Sequence, residues 1–149
     1  MKKLQLLALL FVALFSLTLT SCDDDDDDEP SNRALLTAGT WTAESVAVDG
    51  SVFTKEQILL FTGEDISTWT VKFNDDGTGT ITIFGDSGTG EWRFADNEQT
   101  IVFGSGADES KAKINKLTST ELFLEFTGDD VDSGDFGDFG DTYEVRFKR

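Results

Sequence analysis

From Thr40 onward the chain is a succession of short β-like runs separated by turn residues, and this alternation admits few folds. Trp69-Thr70-Val71-Lys72-Phe73 alternates apolar and polar side chains with period two, as a strand with one buried face does. Asn74-Asp75-Asp76-Gly77 follows as a tight turn. Thr78 to Phe84 continues with β-branched residues, Ile81 and Ile83 sharing a face, and Gly85-Asp86-Ser87-Gly88 turns the chain again. The remaining runs are Trp41 to Val48 before Asp49-Gly50, Glu91 to Phe94 before Asp96-Asn97-Glu98, Ile101 with Phe103, and Lys111 to Leu117. Leu122 with Leu124 and Phe126, and Tyr143 with Val145 and Phe147, close the series. About eight strands joined mostly by short turns imply an all-β sandwich or barrel. A small antiparallel up-and-down barrel is favoured, because hairpin after hairpin makes a meander and closure removes exposed edges.

One segment departs from this pattern. Thr54-Lys55-Glu56-Gln57 fits a helix capping box, Phe53 and Ile58 sit at the staple positions, and Gly63 suits a stop. This predicts a short helix over Lys55 to Thr62, with Ile58, Leu59 and Phe61 covering one end of the barrel. The run Ile58-Leu59-Leu60-Phe61 equally suits another buried strand.

The N-terminus is a different kind of sequence. Lys2 and Lys3 precede an uncharged run from Leu4 to Leu19, and small residues follow, which is the order of a secretory signal. The run is shorter than the roughly 20 residues a bilayer span needs, and acid follows at once. Its exit, Leu19-Thr20-Ser21-Cys22, resembles the bacterial lipoprotein box, which implies cleavage before Cys22 and lipid on its thiol. Cys22 is the sole cysteine, so no internal disulfide is available to it. Asp23 to Asp28 and Glu29 then form an unbroken acidic run, expected to be an extended, self-repelling spacer. An acidic run at this place also resembles the signal that sends lipoproteins of one group of Gram-negative bacteria to the outer surface of the outer membrane. The expected organisation is a signal peptide over 1–21, a lipidated cysteine and disordered tether over 22–34, and one β-barrel domain over 35–149.

Composition narrows the function further. Cleavage removes Lys2 and Lys3, leaving 10 basic residues against 29 acidic ones and a net charge of −19. Such a surface repels nucleic acid, and leaves the membrane anchor, a small apolar ligand or a cationic protein as expected partners. The chain has no histidine, and its one cysteine is assigned to lipid. Ser-His and Cys-His nucleophiles, the usual zinc ligands and the commonest general base are thereby missing. No enzymatic activity and no cofactor are expected. The Gly-rich piece Gly85 to Gly90 lacks the lysine and following helix of a phosphate loop and reads as turn chemistry.

Gly39-Thr40-Trp41, just before the first strand, resembles the G-x-W signature of lipocalins. The wider order resembles the small lipocalin-like domains of bacterial lipoproteins: Phe73 to Thr78, Gly90-Glu91-Trp92, Lys116-Leu117-Thr118, Glu121-Leu122 and the terminal Tyr143 to Arg149. The resemblance implies an up-and-down barrel with Trp41 packed at its closed end against an arginine from near the last strand, for which Arg146 is the candidate. It departs from a full lipocalin in lacking disulfides and a C-terminal helix. A ligand inside such a barrel would be lined by Trp69, Val71, Phe73, Trp92, Phe94, Phe103, Leu122, Leu124 and Tyr143, although large aromatics on inward faces could equally fill the interior. The segment Gly128 to Asp141 holds six aspartates and two Asp-Phe-Gly repeats. Asp130, Asp132, Asp135 and Asp138 are a weak calcium candidate without EF-hand spacing. Phe136 and Phe139 are candidates for touching a cationic protein partner. Two roles follow: uptake of a small apolar molecule, or docking of a cationic partner through the Phe-bearing loop.

Overall fold

A computed structural model of the chain describes residues 29–127 and 142–149. The expectations placed on the leader, on Cys22, on Asp23 to Asp28 and on the Asp-rich segment 128–141 lie outside the described residues. In the described part, eight strands close into an antiparallel up-and-down barrel: β1 (Thr40–Val48), β3 (Thr70–Phe73), β4 (Thr78–Ile83), β5 (Asp86–Ala95), β6 (Thr100–Phe103), β7 (Ser110–Leu117), β8 (Glu121–Thr127) and β9 (Thr142–Lys148). Each pairs with its sequence neighbour, and β9 returns to β1 to complete the wall. This is the barrel that the alternation and the resemblance both implied.

A ninth strand, β2 (Ser51–Thr54), was not legible as one and forms a hairpin on the far half of β1. The same edge of β1 therefore serves two partners: Thr40 to Thr42 pair with β3, and Ser45 to Val48 pair with β2. Period-two alternation explains which side chains enter the core. Trp41, Ala43, Val71, Phe73, Trp92, Ile101, Ala112, Leu122, Leu124, Val145 and Phe147 are all buried in one cluster. Two register shifts redirect polar residues outward. The shift between Ala43 and Ser45 frees Glu44, which meets the Lys55 ammonium at 3.1 Å. The shift between Ile114 and Lys116 frees Asn115, whose side-chain amide donates to Glu125 at 2.8 Å and to Glu144 at 2.6 Å.

The helix α2 (Lys55–Thr62), the second after α1 (Asn32–Thr37), forms with the expected boundaries. Thr54 and Gln57 make the reciprocal capping-box bonds, and Gly63 ends the helix at a φ of 80°, where a side chain would be strained. The expected covering role is corrected. Only Ile58 is buried, while Leu59, Leu60 and Phe61 are exposed. Four consecutive apolar residues sweep a full helical turn, so one of them can face the barrel while the others turn away.

Helix α1 (Asn32–Thr37) starts two residues after Pro30 and so occupies part of the stretch assigned to the tether. Ser31 caps it by accepting from the Ala34 amide at 3.2 Å. Six residues do not hold a helix in water on their own. Tertiary contacts hold this one: Leu36 is fully buried, and Arg33 donates to the Asp75 carbonyl at 2.6 Å while lying 4.9 Å from the Trp92 ring centre.

The arginine over Trp41 is Arg149, not Arg146. Val145 and Phe147 point inward, so strand parity sends Arg146 outward, where it lies 4.8 Å from the Phe123 ring and 2.7 Å from Glu144. Arg149 lies just past β9 and folds beneath the barrel, its guanidinium 4.3 Å from the Trp41 ring. It donates to the carbonyls of Leu35 and Ser119, both at 2.8 Å. The Trp41 indole donates to the Leu36 carbonyl at 2.9 Å. A Cβ on Gly39 would stand 3.0 Å from the Arg149 stem, which explains why the residue two before Trp41 is glycine. We expect Arg149→Ala to cost about 1–2 kcal/mol in denaturant unfolding, through the lost cation–π contact and two bared carbonyls. Arg146→Ala, on the outer face, should stay below about 1 kcal/mol. Equal effects from the two variants would contradict the assignment.

Candidate functional site

The barrel is packed at one end and open at the other, and strand lengths explain the difference. The turns after β3, β5 and β7 gather under the closed end with α1. Asn32 reaches Glu98 at 3.0 Å, Thr37 reaches Asp75 at 2.9 Å, and Arg149 reaches Ser119. Aromatic rings fill the space above them. Phe73 meets Trp92 edge-on at 5.3 Å, Trp92 meets Phe94 edge-on at 5.3 Å, and Phe103 lies 5.8 Å from Phe73.

Toward the other end β5 outruns its neighbour. Trp92 to Ala95 pair with β6, whereas Asp86 to Gly90 pair with β4 alone. The sequence expectation of a turn over Asp86 to Gly88 is thus corrected: these residues are strand, with the turn confined to Phe84 and Gly85. The glycines misled because they disfavour strands on propensity alone, and pairing with β4 overrides that. Strand parity counted back from inward-facing Trp92 puts Gly90, Gly88 and Asp86 on the interior face. Two successive inward positions therefore carry no side chain. A Cβ at Gly88 or Gly90 would meet nothing within 4 Å, so the missing groups are not forced by crowding.

The result is an open cleft of about 840 Å³ in the wall. Val71, Phe73, Ile81, Ile83, Trp92 and Phe103 supply its apolar floor, and Asp86 to Glu91 line one side. A second, smaller space of about 180 Å³ lies deeper, toward β8 and β9, and shares Val71, Ile81, Ile83 and Phe103 with the first. Trp69, Leu124, Phe126 and Tyr143 complete its lining, with the Phe126 and Tyr143 rings stacked at 5.3 Å. Phe84 stands at the mouth in the left-handed region, at a φ of 54°, a conformation costing about 1–2 kcal/mol for a bulky residue. Its edge-on contact with Trp69 at 5.0 Å holds it there.

Of the nine residues expected to line a ligand, Val71, Phe73, Trp92 and Phe103 border the cleft, and Trp69, Leu124 and Tyr143 join Val71 and Phe103 around the inner space. Phe94 and Leu122 border neither; they pack in the core, Leu122 fully buried. Ile81, Ile83, Phe126 and the two glycines were missed. Parity from Trp92 was the signal that could have exposed the glycines. Phe136, Phe139, Asp130, Asp132, Asp135 and Asp138 lie outside the described residues, and among the described ones no cluster of carboxylates has metal-binding geometry.

No family model matches this chain, and no curated protein matches it. It is similar to a solved lipocalin-like protein from Bacteroides uniformis, at 15% sequence identity and a TM-score of 0.45, over 76% of this chain and 97% of that one.

Burial pushes the Tyr143 hydroxyl up to about 12. Unfolded tyrosine titrates near 10, so the stabilisation from keeping it neutral is complete below about pH 10 and fades as pH rises toward the folded value. Tyr143 is the only tyrosine, so phenolate absorbance reads it alone. We expect its midpoint well above the free value in the native protein, and a shallower alkaline loss of stability in Tyr143→Phe. A midpoint near 10 would show the inner space to be wet.

Proposed function

We propose that this protein is a membrane-tethered binding module that takes a small, largely apolar molecule into the cleft beside β5. The observation that carries this reading is the pair of unoccupied inward positions, Gly88 and Gly90, facing an apolar floor. A barrel whose interior serves only stability would fill those positions, since each buried methylene contributes about 0.8 kcal/mol. The cleft volume falls within the range of roughly 300–1,000 Å³ usual for small-molecule sites. The unpaired edge of β5 adds backbone donors and acceptors beside the apolar floor, the mixture that orients a ligand.

The tether belongs to the same reading. Leader, lipoprotein-like box and acidic run support lipid on Cys22 and a place on the outer surface of an outer membrane. Helix α1 enters the fold at the closed end, so a lipid attached upstream of it leaves the cleft free toward the opposite end.

Two outcomes are expected. Gly88→Leu should raise stability by about 0.5–1 kcal/mol, because glycine weakens a strand and the new side chain covers apolar surface. The same variant should lower the affinity for the neutral dye N-phenylnaphthylamine at least about tenfold, as a blocked subsite does. Unchanged dye binding in a folded Gly88→Leu variant, or no dye binding by the unaltered protein, would overturn the cleft as the binding site. For the tether, bacteria fed an alkyne-bearing fatty acid should label the protein on Cys22, and Cys22→Ala should lose the label and leave the membrane fraction. Labelling that persists in Cys22→Ala would overturn the anchor.

A further inference from the structure

We infer that the cleft selects a cationic amphiphile: an apolar chain or ring carrying a positively charged amine. This deepens the binding role proposed above and rests on it. The floor of the cleft is apolar, but its charged lining is all of one sign. Glu64, Asp86 and Glu91 border it, and no lysine or arginine does. Asp86 shares the interior face of β5 with Gly88 and Gly90, at the turn end of the strand, so its carboxylate stands at the mouth of the unfilled space. Among the described residues none of the three carboxylates forms an ion pair; the bridges recorded there use Asp75, Glu44, Glu109, Glu125, Glu121 and Glu144.

Two of these carboxylates face the cleft, Glu64 from the loop after α2 and Asp86 from the start of β5, whereas Glu91, next to inward-facing Trp92, turns its side chain to the outer face of the strand. Glu64 and Asp86 reach the same cleft from separate elements of the chain. Their charge is unshared by any neighbouring cation there, so an entering headgroup meets it directly. A carboxylate or phosphate headgroup would be driven off, an alcohol would be tolerated, and an ammonium would be held while its tail covers Ile81 and Ile83. Exposed ion pairs are individually weak, and about two- to threefold in affinity is expected from each of Glu64 and Asp86, roughly fivefold from the two together.

The test is displacement of N-phenylnaphthylamine from the purified protein by decylammonium, decanol and decanoate, all below their micelle concentrations. Decylammonium should displace at roughly one-fifth the concentration of decanol, and decanoate should be weakest. The ammonium advantage should shrink with added salt. It should also shrink about two- to threefold in Asp86→Asn, while Asp96→Asn, which removes one charge from the turn at the closed end, should leave it unchanged. That pairing separates a local site from the general acidity of the chain. Equal displacement by all three compounds, or equal effects of the two asparagine variants, would overturn the charge preference while leaving the cleft as a binding site. Failure of the dye itself to bind would overturn both.

Discussion

Arg149 under Trp41 is the contact on which the rest of the barrel depends. The guanidinium covers the indole face, and the two side chains donate to successive carbonyls, Leu35 and Leu36, at the end of α1. The first strand, the last residue and the helix between tether and barrel are joined at one point. An up-and-down barrel closes only when its first and last strands meet, and here that pairing is also the longest-range one in the sequence. Gly39 belongs to the same arrangement, because the arginine stem occupies the space its side chain would take.

A firmly closed end permits an underfilled one. Aromatic rings crowd the interior around Phe73, Trp92 and Phe103, and the packing thins toward the strand ends on the other side. There β5 runs past β6, loses its second partner and substitutes glycines for inward side chains. Each of these features alone would be a minor irregularity of a small barrel. Together they place a gap in the wall directly over an apolar floor, with carboxylates as the charged groups around it.

Much of this was legible in the sequence. Alternation located eight strands, and the Thr54 to Gln57 capping box gave α2 its limits, because both signals are local and depend on side-chain chemistry within a few residues. What escaped depended on partners distant in sequence. Helix α1 is too short to show periodicity and is held by distant partners: Trp41, Trp92, Arg149 and the turns after β3 and β5. Asp86 to Gly90 carry turn-like composition and become strand only because β4 pairs with them. Arg146 and Arg149 differ by three positions, and only the parity of Val145 and Phe147 decides which of them passes under the barrel. The cleft was hidden for a related reason: a ligand site made by absent side chains leaves glycines where a reader looks for aromatics.

The central claim is that the gap beside β5 opens into an apolar interior that accepts a ligand. An amide-resonance titration of the protein with N-phenylnaphthylamine tests it most directly. The account predicts shifts concentrated at Ile81, Ile83, Gly88 and Gly90, with Leu36 and Trp41 at the closed end undisturbed. Shifts confined to Leu59, Leu60 and Phe61 on the exposed face of α2, or spread evenly over the surface, would contradict it.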